Sequence, residues 1–152
     1  MKVKIKSSDG LKKLAQAAKG LKAEVVAGVL SGATNDESGE KVAGYARMLE
    51  YGTARMPARP FLRQTVSESE DEWRKQIRHG LKARGLDHAE EVLGAVGRLM
   101  RADIMATIRR GDFEPLAEST VKAKKRKGRA EPTAPLIDTT SLIRSIGSEV
   151  RK

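Results

Sequence analysis

The chain has 152 residues and a formal net charge of +10, from 30 lysines and arginines against 20 aspartates and glutamates. This length fits one domain, and the absence of cysteine excludes disulfides, thiolate zinc sites and a cysteine nucleophile. With one tryptophan, two tyrosines and two phenylalanines, we expect a thin core of aliphatic side chains. No apolar run approaches the roughly 20 residues of a membrane span, and no secretory pattern is present, so neither membrane insertion nor export is expected.

The first forty residues predict two strands around a short helix. Residues 2–6 alternate lysine with Val3 and Ile5, which is typical of an edge strand, and Asp9 could cap a helix ending near residue 20. Residues 24–30 are rich in valine and predict a second strand. The polar, glycine-containing residues 31–40 predict a mobile loop.

The middle of the chain predicts a long helix after a proline-rich loop. Residues 42–51 fit either a short helix or an irregular strand, and two prolines make residues 52–59 a loop. A helix then begins at Phe61 or at Glu68, where Ser67 and Glu70 have capping-box spacing, and it ends at Gly85. Its predicted apolar face comprises Leu62, Val66, Trp73, Ile77 and Leu81.

A second long helix follows and predicts an antiparallel helical hairpin. Asp87 and Glu90 have capping-box spacing before residues 89–109. Gly94 and Gly97 inside this helix each cost about 1 kcal/mol relative to alanine, which indicates close packing or a weak point. Its predicted core face comprises Val92, Leu93, Val96, Met100, Ile104 and Ile108.

The last forty residues predict short elements joined by a basic loop. Residues 116–123 favour a short helix and residues 124–135 an exposed loop, after a turn at 111–115. Asp138 could cap a final helix that runs to Ile146 and has Leu142, Ile143 and Ile146 as its apolar residues. Residues 149–152 fit a last strand or a tail.

No constellation in the sequence predicts an enzyme. His79 and His88 lie near Asp87, Glu90 and Glu91, but they lack the four-residue spacing that puts two metal ligands on one helix face. We therefore expect two exposed histidines, no metal and no cofactor. Four acidic residues at the predicted helix start suit the helix dipole better than acid–base catalysis; they are Glu68, Glu70, Asp71 and Glu72.

One basic cluster stands out from the evenly spread charge. Residues 122–129 hold six cations in eight positions, including Lys124, Lys125, Arg126 and Lys127. The cluster could contact nucleic-acid phosphates without reading sequence, or it could be a solvated loop. It contains no aromatic residue, so it offers no base stacking.

Residues 45–62 hold three of the five aromatic residues together with Pro57 and Pro60. A turn at Gly52, a rigid Arg59–Pro60 pair and Phe61 would make a stiff connection. Stiff loops with arginine and aromatic side chains are good contact surfaces, because binding costs them little entropy. The alternative is local: Phe61 fills the core and Arg59 caps a helix.

Two motifs resemble a known family. Glu50, Tyr51, Gly52 and Thr53, followed by PARPFL at residues 57–62, resemble the E-[FY]-G-T … P-A-R-P-F-L signature of tailed-phage tail-completion and neck proteins. That group includes proteins similar to minor tail protein Z of lambda-like phages and to the virion morphogenesis proteins of Mu-like phages.

The second motif lies near the end of the chain. PLAESTV at residues 115–121 and PLIDTTSLIRSI at residues 135–146 resemble P-L-x-x-x-T-[VI] … P-L-[IV]-D-T-G-x-L-x-x-S-I. The sequence departs from this pattern at Thr140, where glycine is usual, and at Ala117, where serine is common. Because threonine disfavours positive φ, we expect Thr140 within the capped start of the last helix.

The resemblance implies an α+β domain over residues 1–152: a small, mostly antiparallel sheet packed against two long helices plus short helices. It implies a structural virion component rather than an enzyme, assembled in the bacterial cytoplasm as a homo-oligomeric ring with head–tail connector or tail proteins. We expect contacts through Glu50, Tyr51, Gly52, Thr53, Arg59, Pro60 and Phe61, and mobile loops near residues 31–40 and 122–135. The alternative is a DNA-backbone-binding protein that uses the basic cluster.

Overall fold

The computed structural model describes residues 23–30, 32–138 and 140–152. A 3₁₀ turn at Leu86–His88 accompanies seven elements, which are β1 (Glu24–Val29), α1 (Val42–Tyr51), α2 (Phe61–Arg84), α3 (Ala89–Arg110), α4 (Glu118–Arg126), α5 (Ser141–Ser145) and β2 (Ile146–Arg151). The described part is an α+β fold with a two-stranded antiparallel sheet, as predicted. The strand predicted at residues 2–6 and the helix predicted at 9–20 lie outside the described residues. Among the described helices, none has the length and apolar character needed to cross a membrane.

Helices α2 and α3 form the predicted antiparallel hairpin. Trp73 donates its indole N–H to Asp103 Oδ2 across the pair at 2.7 Å. Gly80 lets the two helices approach closely, because a Cβ at this position would lie 2.5 Å from Val92 Cγ1. α2 begins at Phe61, so the alternative start at Glu68 is wrong.

The capping motifs predicted from spacing do not cap these helices. Ser67 and Glu70 lie inside α2, and the acidic run that follows Ser67 is therefore not in the first turn of the helix. α3 follows the 3₁₀ turn, and His88 occupies its N-cap position without a side-chain capping bond, so Asp87 and Glu90 do not form the predicted box. Spacing alone was misleading because the same pattern also suits helical residues one turn apart.

The sheet packs one face against α3. β1 and β2 are antiparallel, with Val25 opposite Val150 and Val29 opposite Ile146. Gly97 of α3 lies directly against this face, because a Cβ there would be 2.9 Å from Val25 Cγ2. The glycine thus permits close packing, as the sequence indicated, and residues 149–152 belong largely to a strand.

The main core joins α1, α2, α3, α5 and β2. Residues 42–51 form a helix, which resolves the ambiguity of that segment against a strand. In α2 the fully buried positions are Phe61 and Thr65, whereas Val66 is 45% exposed, so its predicted apolar face is rotated at the start of the helix. The buried members of this core are Val42, Ala46, Phe61, Ile104, Ile108, Leu142 and Ile146.

The segment between α3 and β2 differs most from prediction. α4 extends to Arg126, and Lys124 within it is buried, so residues 124–135 are not one exposed loop. Asp138 does not cap α5; its carboxylate accepts a hydrogen bond from Arg129 Nε at 3.1 Å. Leu142, one of the apolar residues of the predicted final helix, is buried in α5.

Candidate functional site

The first turn of α2 is capped by a side chain from the preceding helix. Pro60 occupies the N-cap position and has no side-chain capping bond, yet the first N–H groups of a helix need acceptors. Glu50 of α1 supplies them: its Oε2 accepts from Leu62 N at 2.9 Å and its Oε1 from Arg63 N at 3.0 Å. Glu50 is only 4% exposed. Its negative charge also interacts favourably with the helix dipole, so Glu50 fixes α1 to α2.

We call the connection between the end of α1 and the start of α2 the α1–α2 joint. Arg63 completes this joint from its solvent-exposed side. Its Nε donates to Glu50 Oε1 at 3.0 Å and its Nη2 donates to the Glu50 carbonyl at 2.6 Å. The guanidinium also lies over the Tyr51 ring, 4.9 Å from the centroid. Tyr51 is 65% exposed, so Arg63 holds an outward-facing tyrosine in a defined position.

Gly52 is required by both backbone conformation and space. Its φ is 75°, and a Cβ there would lie 2.8 Å from Ala58 N and 3.0 Å from Met56 O. The following turn is closed by a hydrogen bond of 2.8 Å from Thr53 N to Met56 O. The loop after α1 is therefore tightly folded back on itself.

Arg59 and Phe61 attach this loop to the rest of the protein. Phe61 is fully buried, as predicted for a core-filling residue. Arg59 is also buried, but it does not cap a helix: Nε donates to Glu114 O at 3.2 Å and Nη2 to Pro115 O at 3.3 Å. The first motif therefore ties the loop to the segment after α3, and this segment begins the second motif at Pro115.

The exposed apolar residues of the described part gather near this joint. Met48 and Tyr51 lie one turn apart on α1, and Arg63, which covers Tyr51, lies one turn before Val66 on α2. Among the residues that the structure describes, Met48, Tyr51 and Val66 are the large apolar side chains that remain exposed. Tyrosine, methionine and arginine are enriched at protein interfaces. We call Met48, Tyr51, Arg63 and Val66 the Tyr51 patch.

Lys124 of the basic cluster faces inward. It is 6% exposed, and its Nζ donates to Ala134 O at 2.9 Å and to Ile137 O at 2.5 Å. Burial is the main cause that lowers the pKa of Lys124. Lys124 thus anchors the chain after α4 and is not placed to contact a phosphate backbone.

Two other cations of the cluster are already paired. Arg129 binds Glu37 at 2.5 Å and Asp138 at 3.1 Å, and Lys122 lies 3.5 Å from Glu118. Three exposed cations have no ion-pair partner among the described residues: Lys125, Arg126 and Lys127. Half of the cluster is therefore available to an anionic partner.

The acidic run has partners along and across the hairpin. Glu68 accepts a hydrogen bond from Gln64 and pairs with Arg110 of α3 at 2.8 Å, and these contacts lower its pKa. Among the described residues, no three acidic or histidine side chains are grouped closely enough to hold a metal ion.

The two histidines are both exposed, as predicted. His88 Nδ1 lies 3.2 Å from Glu91 Oε1, and Arg84 Nη1 donates to the other oxygen, Glu91 Oε2, at 2.9 Å. The interaction with His88 is the main cause that lowers the pKa of Glu91. The structure thus does not bring His79 and His88 together with a set of carboxylates.

Thr140 adopts the conformation expected of a glycine. Its φ is 62° and its ψ is −4°, in the left-handed region, at the N-cap position of α5. The expectation that it lies within a capped helix start is wrong, because α5 begins only at Ser141 and the Thr140 side chain makes no capping bond. The turn before α5 therefore has the geometry that the glycine of the family pattern favours.

Arg63 and the carbonyls of Glu114 and Pro115 were missed from the sequence. Arg63 follows the signature directly, and only the partner geometry of Glu50 reveals its role. Backbone carbonyls carry no sequence pattern. Comparisons with models of protein families, with curated proteins and with solved structures find no match for this chain.

Proposed function

We propose that this chain is a structural protein of a tailed-phage virion that joins or completes the tail at the head–tail interface. It acts as a ring of identical subunits, assembled in the bacterial cytoplasm, and it performs no catalysis. The observation that carries the proposal is the joint between α1 and α2. Glu50, Gly52, Arg59 and Phe61 of the signature each make a specific internal contact there, and Tyr51 is its exposed aromatic side chain.

The second motif adds independent support. In the family pattern a glycine stands where this chain has Thr140, and Thr140 adopts a φ of 62°. Glycine adopts a left-handed conformation readily, so the observed backbone of Thr140 is compatible with a pattern that has glycine at this position. The two motifs also meet in space through the bonds of Arg59 to Glu114 and Pro115.

The Tyr51 patch is the proposed contact with a neighbouring subunit. A ring needs a heterologous contact, in which one surface of each copy meets a different surface of the next. The joint below the patch is held by several hydrogen bonds from Glu50 and Arg63, so little conformational entropy remains to be lost when a neighbour binds. Buried tyrosine and arginine often dominate the binding energy of such contacts.

Two substitutions at the centre of the patch test it, one that introduces a charge and one that removes the tyrosine ring. We expect Met48→Glu and Tyr51→Ala to reduce self-association in sedimentation velocity by at least about tenfold, since an interface hot spot is worth about 2 kcal/mol. Ala43→Glu is the matched control, because Ala43 is also exposed on α1 but lies outside the patch. Loss of association in Ala43→Glu to the same extent would count against the patch.

DNA-backbone binding remains the second candidate, supported by the three exposed cations at the end of α4. Because about 0.9 counterions are released per neutralised phosphate, three contacts predict a log–log salt slope of about −2.7. Charge reversal of Lys125, Arg126 and Lys127 should abolish duplex binding if this is the function. If these changes leave duplex binding intact, or if no binding is found at low salt, the DNA candidate fails while the joining proposal stands.

A further inference from the structure

A cavity of about 410 Å³ opens beside the α1–α2 joint. It is bounded by α1, the Gly52 loop, α4, residues 136–138 and residues 140–142. Its size falls within the range of roughly 300–1,000 Å³ that is usual for small-ligand pockets. The apolar walls comprise Tyr45, Leu49, Met56, Leu116, Leu136 and Leu142.

Two buried cations border this cavity. Arg59 is 4% exposed and Lys124 is 6% exposed, and both line the pocket. Their partners among the described residues are backbone carbonyls, and neither forms an ion pair with a carboxylate there. Carbonyls satisfy the N–H groups but supply no paired countercharge, and a buried charge without one is costly.

The Arg59 guanidinium still has donors that face open space. Nε and Nη2 donate to Glu114 and Pro115, whereas Nη1 has no partner in the described part of the chain. No buried side-chain nitrogen there lacks a partner, so Nη1 reaches an accessible region. Arg59 is one of the residues that line the cavity.

Among the described residues, the acidic side chains that line the cavity form no ion pair with these two cations, although Asp138 attracts the charge of Lys124 from farther away. Asp138 is engaged by Arg129, with its Oδ1 3.1 Å from Nε. Glu40 lies at the exposed edge, and its side chain forms no ion pair among the described residues. Lys127 adds a further positive charge at the same edge. The cavity therefore combines an apolar wall with two buried cations and an open arginine donor.

We propose that this cavity binds a carboxylate carried at the end of an apolar chain. The apolar part lies against the leucine-rich wall, and the carboxylate accepts hydrogen bonds from Arg59 and faces Lys124. Such a group occurs in a peptide with an acidic residue after apolar side chains, and in a free aliphatic carboxylate. The proposal rests on the cavity alone and does not depend on ring assembly.

Sodium octanoate is the first probe, with 1-octanol as its neutral counterpart of equal chain length. In ¹H–¹⁵N spectra of the whole chain we expect octanoate to shift Arg59 Nε and the amides of Leu136 and Ile137 saturably. Octanol should bind about tenfold more weakly, because it lacks the charge-assisted hydrogen bond. Equal binding of octanoate and octanol, or no saturable shift with octanoate, would overturn the proposal.

Substitutions of residues that line the cavity test whether octanoate binds there. Lys124→Met keeps the length of the side chain and removes its charge, and it should weaken octanoate binding about tenfold. Lys125→Met is the matched control one residue along the helix, on the exposed side, and should leave binding unchanged. Because Lys124 also anchors the following segment, Ala123→Leu provides a second variant that fills the cavity without removing a hydrogen bond. Octanoate binding that survives Ala123→Leu unchanged would place the probe elsewhere and contradict the proposal.

A second binding experiment, with a short peptide, distinguishes the two sources of the carboxylate. The probe is an N-acetylated tripeptide amide of two leucines followed by aspartate, and its control carries asparagine in place of aspartate. Tighter binding of the aspartate peptide than of octanoate identifies a protein segment as the occupant. Tighter binding of octanoate identifies an aliphatic carboxylate.

Discussion

Glu50 and Arg63 hold the end of one helix and the start of the next through three hydrogen bonds. The Glu50 carboxylate accepts from both the backbone N–H and the Nε of Arg63, each at 3.0 Å. The Arg63 guanidinium then returns to the Glu50 carbonyl at 2.6 Å. This pair converts a proline-interrupted connection into a rigid joint, and the Tyr51 patch is built on it.

Removal of the Glu50 carboxylate should destabilise the protein more than removal of an exposed one. Glu50→Ala leaves the N–H groups of Leu62 and Arg63 without their acceptor, so we expect the free energy of unfolding to fall by about 2–3 kcal/mol. Glu70→Ala is the control, because its pair with Arg74 is exposed and worth less than about 0.5 kcal/mol. Urea denaturation followed by circular dichroism measures the free energy of unfolding of both variants. Equal losses would contradict the role of Glu50 in capping α2.

Substitution of Gly94 and of Gly97 by alanine should change the stability of the protein in opposite directions. At Gly97 a Cβ would lie 2.9 Å from Val25 Cγ2 and 3.2 Å from Ser148 Cβ, so Gly97→Ala should destabilise by about 1–2 kcal/mol. At Gly94 the nearest atoms are 3.8 Å away or more, so Gly94→Ala should gain up to about 1 kcal/mol from helix propensity. Thermal melts of the two variants test this contrast, which disappears if the sheet does not pack on α3.

Thr140→Gly should stabilise the protein. A left-handed conformation costs a threonine about 1–2 kcal/mol, whereas glycine loses about 0.5–1 kcal/mol of additional chain entropy on folding. The expected net gain is about 0.5–1 kcal/mol in chemical denaturation. Leu136→Gly is an informative comparison, because Leu136 also has a positive φ of 63° but packs against the core. That variant should destabilise, and a loss of stability in Thr140→Gly would contradict the geometry of the turn.

The Glu37–Arg129 pair should make stability depend on pH in the acid range. The hydrogen bond from Arg129 is the main cause that lowers the pKa of Glu37. A lowered folded-state pKa contributes stability that is present above the unfolded pKa and is lost as pH falls through the folded one. We therefore expect Glu37→Gln to lower the melting temperature at neutral pH more than at a pH below the folded pKa. The same difference at both pH values would mean that the pair is not formed in solution.

The elements with strong periodicity were predictable from the sequence, and the contacts between elements were not. Helix α3 follows its apolar pattern closely, because it buries one continuous face, and strand β1 forms over the valine-rich run with every residue after Glu24 partly buried. Helix α2 begins at Phe61 without any local capping residue, and its cap comes from Glu50, eleven positions before Phe61. A local pattern cannot reveal a cap supplied through a loop.

The basic cluster illustrates the same limit. In the sequence, Lys124 and Lys125 are equivalent neighbours, yet one is buried against carbonyls and the other is exposed. The direction of a lysine on a short helix depends on what packs on that helix, here the segment around Ile137. The mobility expected for residues 31–40 and 122–135 stays a prediction; side chains from both, Glu37 and Arg129, are joined to each other.

Native mass spectrometry of the purified chain tests the central claim most directly, because it counts subunits in a self-assembled species. We predict a closed oligomer of uniform subunit number that is lost in Tyr51→Ala and kept in Ala43→Glu. A monomer at every protein and salt concentration, or an oligomer that persists unchanged in Tyr51→Ala, would contradict assembly through the Tyr51 patch.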